Sequence, residues 1–161
     1  MDLFKYTAHE LHEKLVNKEI TAVELTNAVY DRIAAVDEQV NAYISLSKEE
    51  ALAKAAEVDA KIAAGEAIAP LAGIPVVFKD NINIYGQVTS CASKMLQGVE
   101  TVFDAHVTEE LRKEDAVFLG KANMAEFSIG NTTDNSFNGA VHNPWNLNCT
   151  TGGCATAAAV A

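Results

Sequence analysis

Basic residues are scarce. Lys plus Arg number 12 against 22 Asp plus Glu, a formal net charge of −10 at pH 7. That balance argues against a nucleic-acid-gripping surface on this chain, which would need a basic patch. Cysteine is also sparse: Cys91, Cys149 and Cys154 make an odd number without C-x-x-C spacing, so neither a disulfide framework nor a zinc site is implied. Long apolar runs are missing. The stretch from Ala157 to Ala161 is far too short to cross a bilayer, and the Asp2, Lys5, His9 and Glu10 region has no apolar core of a secretory signal. These absences leave the cytosol as the expected compartment. No Walker-type loop, G-x-G-x-x-G or acidic cluster occurs. The histidines (His9, His12, His106, His142) are scattered; His9 and His12 are three apart, but no third metal ligand accompanies them.

What is present is an ordinary globular mixture, 49% hydrophobic and 21% charged over 161 residues. It excludes a wholly disordered or collagen-like chain and suits one domain. The first third reads as helix. Three capping-box patterns, Thr7 with Glu10, Thr21 with Glu24 and Ser47 with Glu50, each open an apolar stripe at three- and four-residue steps. The stripes are Ala8, Leu11, Leu15; then Leu25, Val29, Ile33, Val36; then Leu52, Ala55, Val58, Ile62, stopped by Gly65.

Composition shifts at Ala69-Pro70. The short β-branched run Gly73 to Phe78 reads as a strand ending at Lys79-Asp80-Asn81. Ala105 to Glu114 has helical spacing through Val107 and Leu111, and Ala116 to Gly120 is a buried-strand candidate. Gly130 to Thr151, rich in Asn, Thr and Gly, reads as loop, and Gly152-Gly153 leads into an alanine-rich helix. The expected fold class is α/β: N-terminal helices (1–69), then part of a mixed sheet covered by helices (70–161), all within one domain. The helix running out on Val160-Ala161 without a cap suggests a cut chain.

Two positions carry chemistry. Lys79 follows an apolar strand; partial burial would lower its pKa and suit it to general-base work, while the plainer alternatives are a surface lysine or a pair with Asp80. Cys154 sits at a glycine turn before a helix, where backbone N–H groups favour negative charge; it is a candidate nucleophile or simply a small buried side chain.

Four ordered segments then resemble one family. Pro70-Leu71-Ala72-Gly73-Ile74-Pro75 with Lys79-Asp80-Asn81, Thr89-Ser90-Cys91-Ala92-Ser93, Gly120 to Phe127, and Asn143-Pro144-Trp145 followed by Gly152-Gly153 are similar, in colinear order, to the amidase signature family. The likeness starts near residue 7 and corresponds to the N-terminal third of the fold, an incomplete amidase-signature fold. Within the family the pattern is most similar to the amidase subunits of tRNA-dependent aspartyl/glutamyl amidotransferases. The resemblance implies a Ser–cis-Ser–Lys triad, with the lysine at Lys79, the bridging serine's place taken by Cys154, and the nucleophile about two dozen residues past it. The 161-residue chain is therefore expected to be inactive alone. Substrate contacts are implied at Ser128 and Gly130. The resemblance further implies glutamine as amide donor, B and C subunits of a heterotrimer, tRNA held mainly by a partner, and no cofactor on this chain, with ATP and Mg²⁺ on the partner. Ala125 replaces the acidic residue usual before Glu126. Another amidase-signature hydrolase acting on a small amide, and a non-catalytic remnant, are the alternative readings.

Overall fold

The structure is a computed structural model that describes residues 3–152 and 156–161. In chain order the elements are α1 (Ala8–Val16), α2 (Ala22–Val40), β1 (Tyr43–Leu46), α3 (Lys48–Ala64), β2 (Pro75–Lys79), α4 (His106–Lys113), β3 (Val117–Ala122), β4 (His142–Asn143), β5 (Asn146–Thr150) and α5 (Thr156–Val160). Single 3₁₀ turns lie at Leu3–Lys5, Lys94–Leu96 and Glu126–Ser128. The chain divides into two compact units, one of Met1–Ala34, Ser47–Val76 and Glu110–Leu119, the other of Ala35–Leu46, Val77–Glu109 and Gly120–Ala161. Both units draw on residues from each side of Ala69-Pro70.

In the first unit the two N-terminal capping boxes form as read. Glu10 N–H donates to Thr7 Oγ1 at 3.3 Å while Glu10 Oε2 accepts from Thr7 N–H at 2.8 Å. Thr21 and Glu24 exchange the same pair of bonds at 3.0 and 2.9 Å. The next two orphan donors of α2, Ala22 and Val23 N–H, are met by Asp59 Oδ1 and Oδ2 from α3, at 2.7 and 3.1 Å. Ser47 does not cap α3: its own N–H donates to Leu119 O at 2.9 Å, so the donor that Glu50 would satisfy already has a partner. Leu11, Leu15, Leu25, Ile33, Ala51, Ala55 and Val58 are buried, whereas Ala8 is exposed. Gly73 stands where these helices converge. Its φ is +74°, and a Cβ there would meet Ala22 Cβ at 3.0 Å and Leu15 Cδ1 at 3.3 Å.

The main sheet has the order β1-β3-β2. β1 pairs antiparallel with β3, Tyr43 facing Ala122 and Leu46 facing Gly120, with an irregularity between Tyr43 and Ser45. The bonds flanking β2 and β3, Val117 N–H to Ile74 O and Asp80 N–H to Ala122 O, rise together along both strands. That pair is therefore parallel and the sheet is mixed, as expected. β1 corrects the all-helical reading of residues 1–69: Tyr43-Ile44-Ser45-Leu46 is only four residues long, too short to show a period between two helices. β3 is buried at all six positions. It extends past Gly120 because the backbone approach there admits no side chain; a Cβ on Gly120, at φ +144°, would collide with Ser45 O.

Two further readings are corrected. Val107 of α4 is exposed and Thr108 is the buried residue, because the Thr108 hydroxyl donates to Asn83 O at 2.8 Å and turns that face inward. Residues 130–151 are not all loop. β4 and β5 pair antiparallel across Pro144-Trp145, with Asn143 Oδ1 accepting from Trp145 N–H at 2.9 Å to shape the turn. The alanine run does form a helix, α5, whose Ala157 is buried with Ala122 and Val141.

Candidate active site

Pro75-Val76-Val77-Phe78 makes a strand whose last residue is Lys79, so the sheet itself delivers the lysine. The side chain is half-buried, and its Nζ donates to Ser128 Oγ at 2.8 Å. Asn81 Nδ2 reaches the same hydroxyl at 3.4 Å. Two of the expected site residues, Lys79 and Ser128, thus stand together. The alternative pair with Asp80 does not form, since that carboxylate engages a different lysine, Lys121. Gly130 lies two residues beyond Ser128, exposed, at φ +127°. Cys154, and with it the expected bridge to Lys79, lies outside the described residues.

Ser128 is held in an uncommon backbone state. Phe127 and Ser128 have φ of +51° and +62°, a left-handed conformation costing non-glycine residues about 1–2 kcal/mol each. Across from them, Cys91 and Ala92 repeat the state at +51° and +54°. The two turns are tied together: Phe127 N–H donates to Cys91 O at 3.0 Å, and Ser93 Oγ to Glu126 Oε1 at 2.6 Å. Asn135 braces the far side, accepting from Glu126 N–H at 3.0 Å and donating to Ile129 O at 2.9 Å. Strain of this kind persists only where surrounding bonds over-determine it.

Beneath the turns lies a buried charge pair that sequence reasoning missed. Lys121, on β3, is fully buried; its Nζ donates to Ile82 O at 2.7 Å and Thr89 Oγ1 at 2.9 Å, and stands 3.6 Å from Asp80 Oδ1. Asp80 Oδ2 accepts from Ser90 Oγ at 2.5 Å, Ser90 N–H at 3.1 Å and Ala92 N–H at 3.3 Å. Burial pulls the Lys121 amine below the usual lysine range, and the Asp80 carboxylate opposes that. Burial, then the same carboxylate, pushes the Cys91 thiol up, which disfavours a thiolate there. One signal was available in the sequence: Lys121 continues the apolar run Ala116–Gly120 directly into Ala122. Among the described residues no three His, Cys, Asp or Glu side chains gather as metal ligands.

The sequence model of the Amidase family matches residues 24–161. The chain belongs to the amidase family. It is 50% identical, over all 161 residues, to the A subunit of the glutamyl-tRNA(Gln) amidotransferase of Clostridium botulinum, of which it covers 33%. The corresponding protein of Desulforamulus reducens is 48% identical over 163 aligned positions, with 34% of it covered. This amidase chain thus spans about a third of the length of the curated relatives it matches. Among solved structures, the peptide amidase of Stenotrophomonas maltophilia superposes with a TM-score of 0.88 at 34% identity, over 97% of this chain and 33% of that one. A bacterial aryl acylamidase of the amidase signature enzymes superposes with a TM-score of 0.88 at 29% identity, over 96% and 32%.

Proposed function

We propose that this amidase chain supplies the N-terminal third of a glutamine-hydrolysing, ammonia-producing subunit that acts with tRNA-dependent amidating partners. The observation that carries the reading is Lys79, delivered by β2 to a hydroxyl at 2.8 Å, in a chain 50% identical throughout to the Clostridium botulinum protein. In this chemistry the Lys79 side chain takes a proton through the bridging side chain, in the position of Cys154, from a serine hydroxyl farther along the full-length fold. The serine oxygen attacks the glutamine carboxamide carbon, and backbone N–H groups hold the oxyanion. The C–N bond then breaks and ammonia leaves carrying the transferred proton; water hydrolyses the acyl-enzyme to glutamate. Ser128 and Gly130, in the turn facing Lys79, are the proposed substrate contacts. ATP, Mg²⁺ and most of the tRNA belong to a partner subunit in this scheme, which suits a chain carrying −10. The cytoplasm is the proposed setting. Among the described residues no helix is long and apolar enough to cross a membrane.

Cysteine in place of the bridging serine favours a second reading, a folded but non-catalytic relative, because a thiol hydrogen-bonds more weakly than a hydroxyl. One chimera separates the two. Residues 1–161 of this chain, Cys154 included, replace the matching third of the Clostridium botulinum protein, whose own downstream segments follow. The first reading expects glutamine-dependent ammonia release in the assembled heterotrimer, and a loss of about 10³-fold or more on Lys79→Ala. An assembled chimera that hydrolyses no glutamine overturns it. Turnover of simple amides without the partners would instead place the chain with the hydrolases. The unaltered 161-residue chain is expected to release no ammonia.

A further inference from the structure

We infer that the buried Asp80–Lys121 pair is a positioning device for Lys79: it fixes the 90–92 turn, and through that turn the Phe127–Ser128 turn, so that the Ser128 hydroxyl meets the Lys79 amine. This rests on the reading of Lys79 as the proton-handling group of the site. The path is continuous. Asp80 is the residue after Lys79, and its backbone N–H donates to Ala122 O at 3.1 Å, pinning the end of β2 to β3. Its carboxylate then meets three donors of the 90–92 turn, while its carbonyl accepts from Cys91 N–H at 3.2 Å. The turn's two left-handed residues, neither of them glycine, are held open by those four bonds. Cys91 O, aimed outward as a result, takes Phe127 N–H at 3.0 Å and so seats the second left-handed pair, ending at Ser128 Oγ.

Lys121 makes the arrangement possible. Asp80 is 1% exposed, and a buried carboxylate without a cation would protonate or draw in water. The ammonium has three protons, and three acceptors surround it: Ile82 O, Thr89 Oγ1 and Asp80 Oδ1. Two of these, Ile82 and Thr89, flank the loop that leaves β2 and returns at the 90–92 turn, so the same cation closes that loop at both ends. A buried pair of this kind is poor evidence of stability for its own sake, since an apolar pair often does as well. Here it sets geometry at the neighbouring residue.

The test is the accessibility of the Lys79 amine in the full 161-residue chain, read as its acetylation rate by a limiting water-soluble acylating reagent, located by mass spectrometry and referred to the exposed Lys18. Ser128→Ala provides the rate of a Lys79 without its hydroxyl partner, expected about fivefold above wild type, the factor one lost hydrogen bond carries. The isosteric double variant Asp80→Asn/Lys121→Met, checked for its fold by circular dichroism, is expected to approach that rate with Ser128 still in place. If the double variant does not fold, Ser90→Ala, which removes the hydroxyl's bond to Asp80 and the one it accepts from Ala92 N–H, is expected to raise the rate in the same direction. A folded double variant, or failing that Ser90→Ala, that acetylates Lys79 at or below the wild-type rate overturns the inference, even if its thermal transition has fallen. Since no turnover is measured, this outcome is separate from the fate of the glutaminase reading.

Discussion

Helices α1 and α3 and the start of α2 bury Leu15, Leu25, Ala55 and Val58 in the first unit, where, aside from the Tyr30 hydroxyl, Thr26 is the one buried polar side chain among the described residues. Its hydroxyl has no hydrogen-bond partner. The second unit buries Asp80, Thr89, Ser90, Ser93, Thr108, Lys121, Asn123, Thr133 and Ser136. Asn123 alone donates to Asn41 O at 3.2 Å and Gly139 O at 3.0 Å, and accepts from Ser136 Oγ at 2.7 Å and Met124 N–H at 2.8 Å. Area burial dominates the first unit, and it tolerates change in proportion to lost volume. A satisfied polar network in low dielectric responds all or none to the loss of one partner. The half of the molecule that holds Lys79 is built the second way, and geometry rather than bulk stability is what such a network supplies.

The sharpest test of that contrast is Lys121→Met. It leaves Asp80 buried without its cation and is expected to cost about 3–5 kcal/mol in urea unfolding. A cost below about 1 kcal/mol would break the comparison, because the network would then behave like an apolar core. Leu15→Ala, in the first unit at 0% exposure, should cost about 2–5 kcal/mol by cavity formation. Isoleucine or methionine at that site should recover most of it, whereas no isosteric residue should recover Lys121 singly. Asp59→Ala removes the two bonds that α3 lends to the start of α2, with an expected loss of about 1 kcal/mol, measured by the same unfolding.

The remaining expected effect is confined to alkaline pH and lies in the second unit. Burial, and secondarily the Asp37 charge, pushes the Tyr43 hydroxyl up to about 12 from its ordinary 10.0. A folded pKa above the unfolded one means that this contribution is fully present below pH 10 and is lost as pH rises from 10 through 12. Tyr43→Phe should flatten that alkaline limb, and a near-ultraviolet absorbance titration should show one tyrosine ionising near 12. Ionisation of every tyrosine near 10 would mean that Tyr43 is hydrated.

What was legible in the sequence was local. The Thr7 and Thr21 capping boxes were readable because donor and acceptor lie three residues apart, and the strand ending at Lys79 because its apolar run stops abruptly. The Ser47 box failed for a reason written 72 residues away, at Leu119 O. Lys121 passed as an ordinary motif lysine because lysine is rarely buried without a partner, and the partner, Asp80, sits far away in sequence, just past the end of β2. Ser128 was anticipated only through the family resemblance. Nothing at Phe127-Ser128, which lacks glycine, announces a left-handed turn.

The strand order β1-β3-β2 also has a consequence for the chain as it is being made. The central strand is the last of the three to be translated. β1 is complete at Leu46 and β2 at Lys79, but neither has its neighbour until Ala122 has left the ribosomal tunnel. At roughly 5–20 residues per second, β1 waits on the order of 4–15 s with its hydrogen-bonding edge unfilled. Helices α1, α2 and α3 can form in that interval from local bonds alone. The sheet cannot, and the nascent chain therefore passes through a stage in which a helical cluster trails two unpaired strand segments. Slowing translation between residues 79 and 122 lengthens that stage, and the codons of this interval are where synthesis rate bears most directly on folding yield.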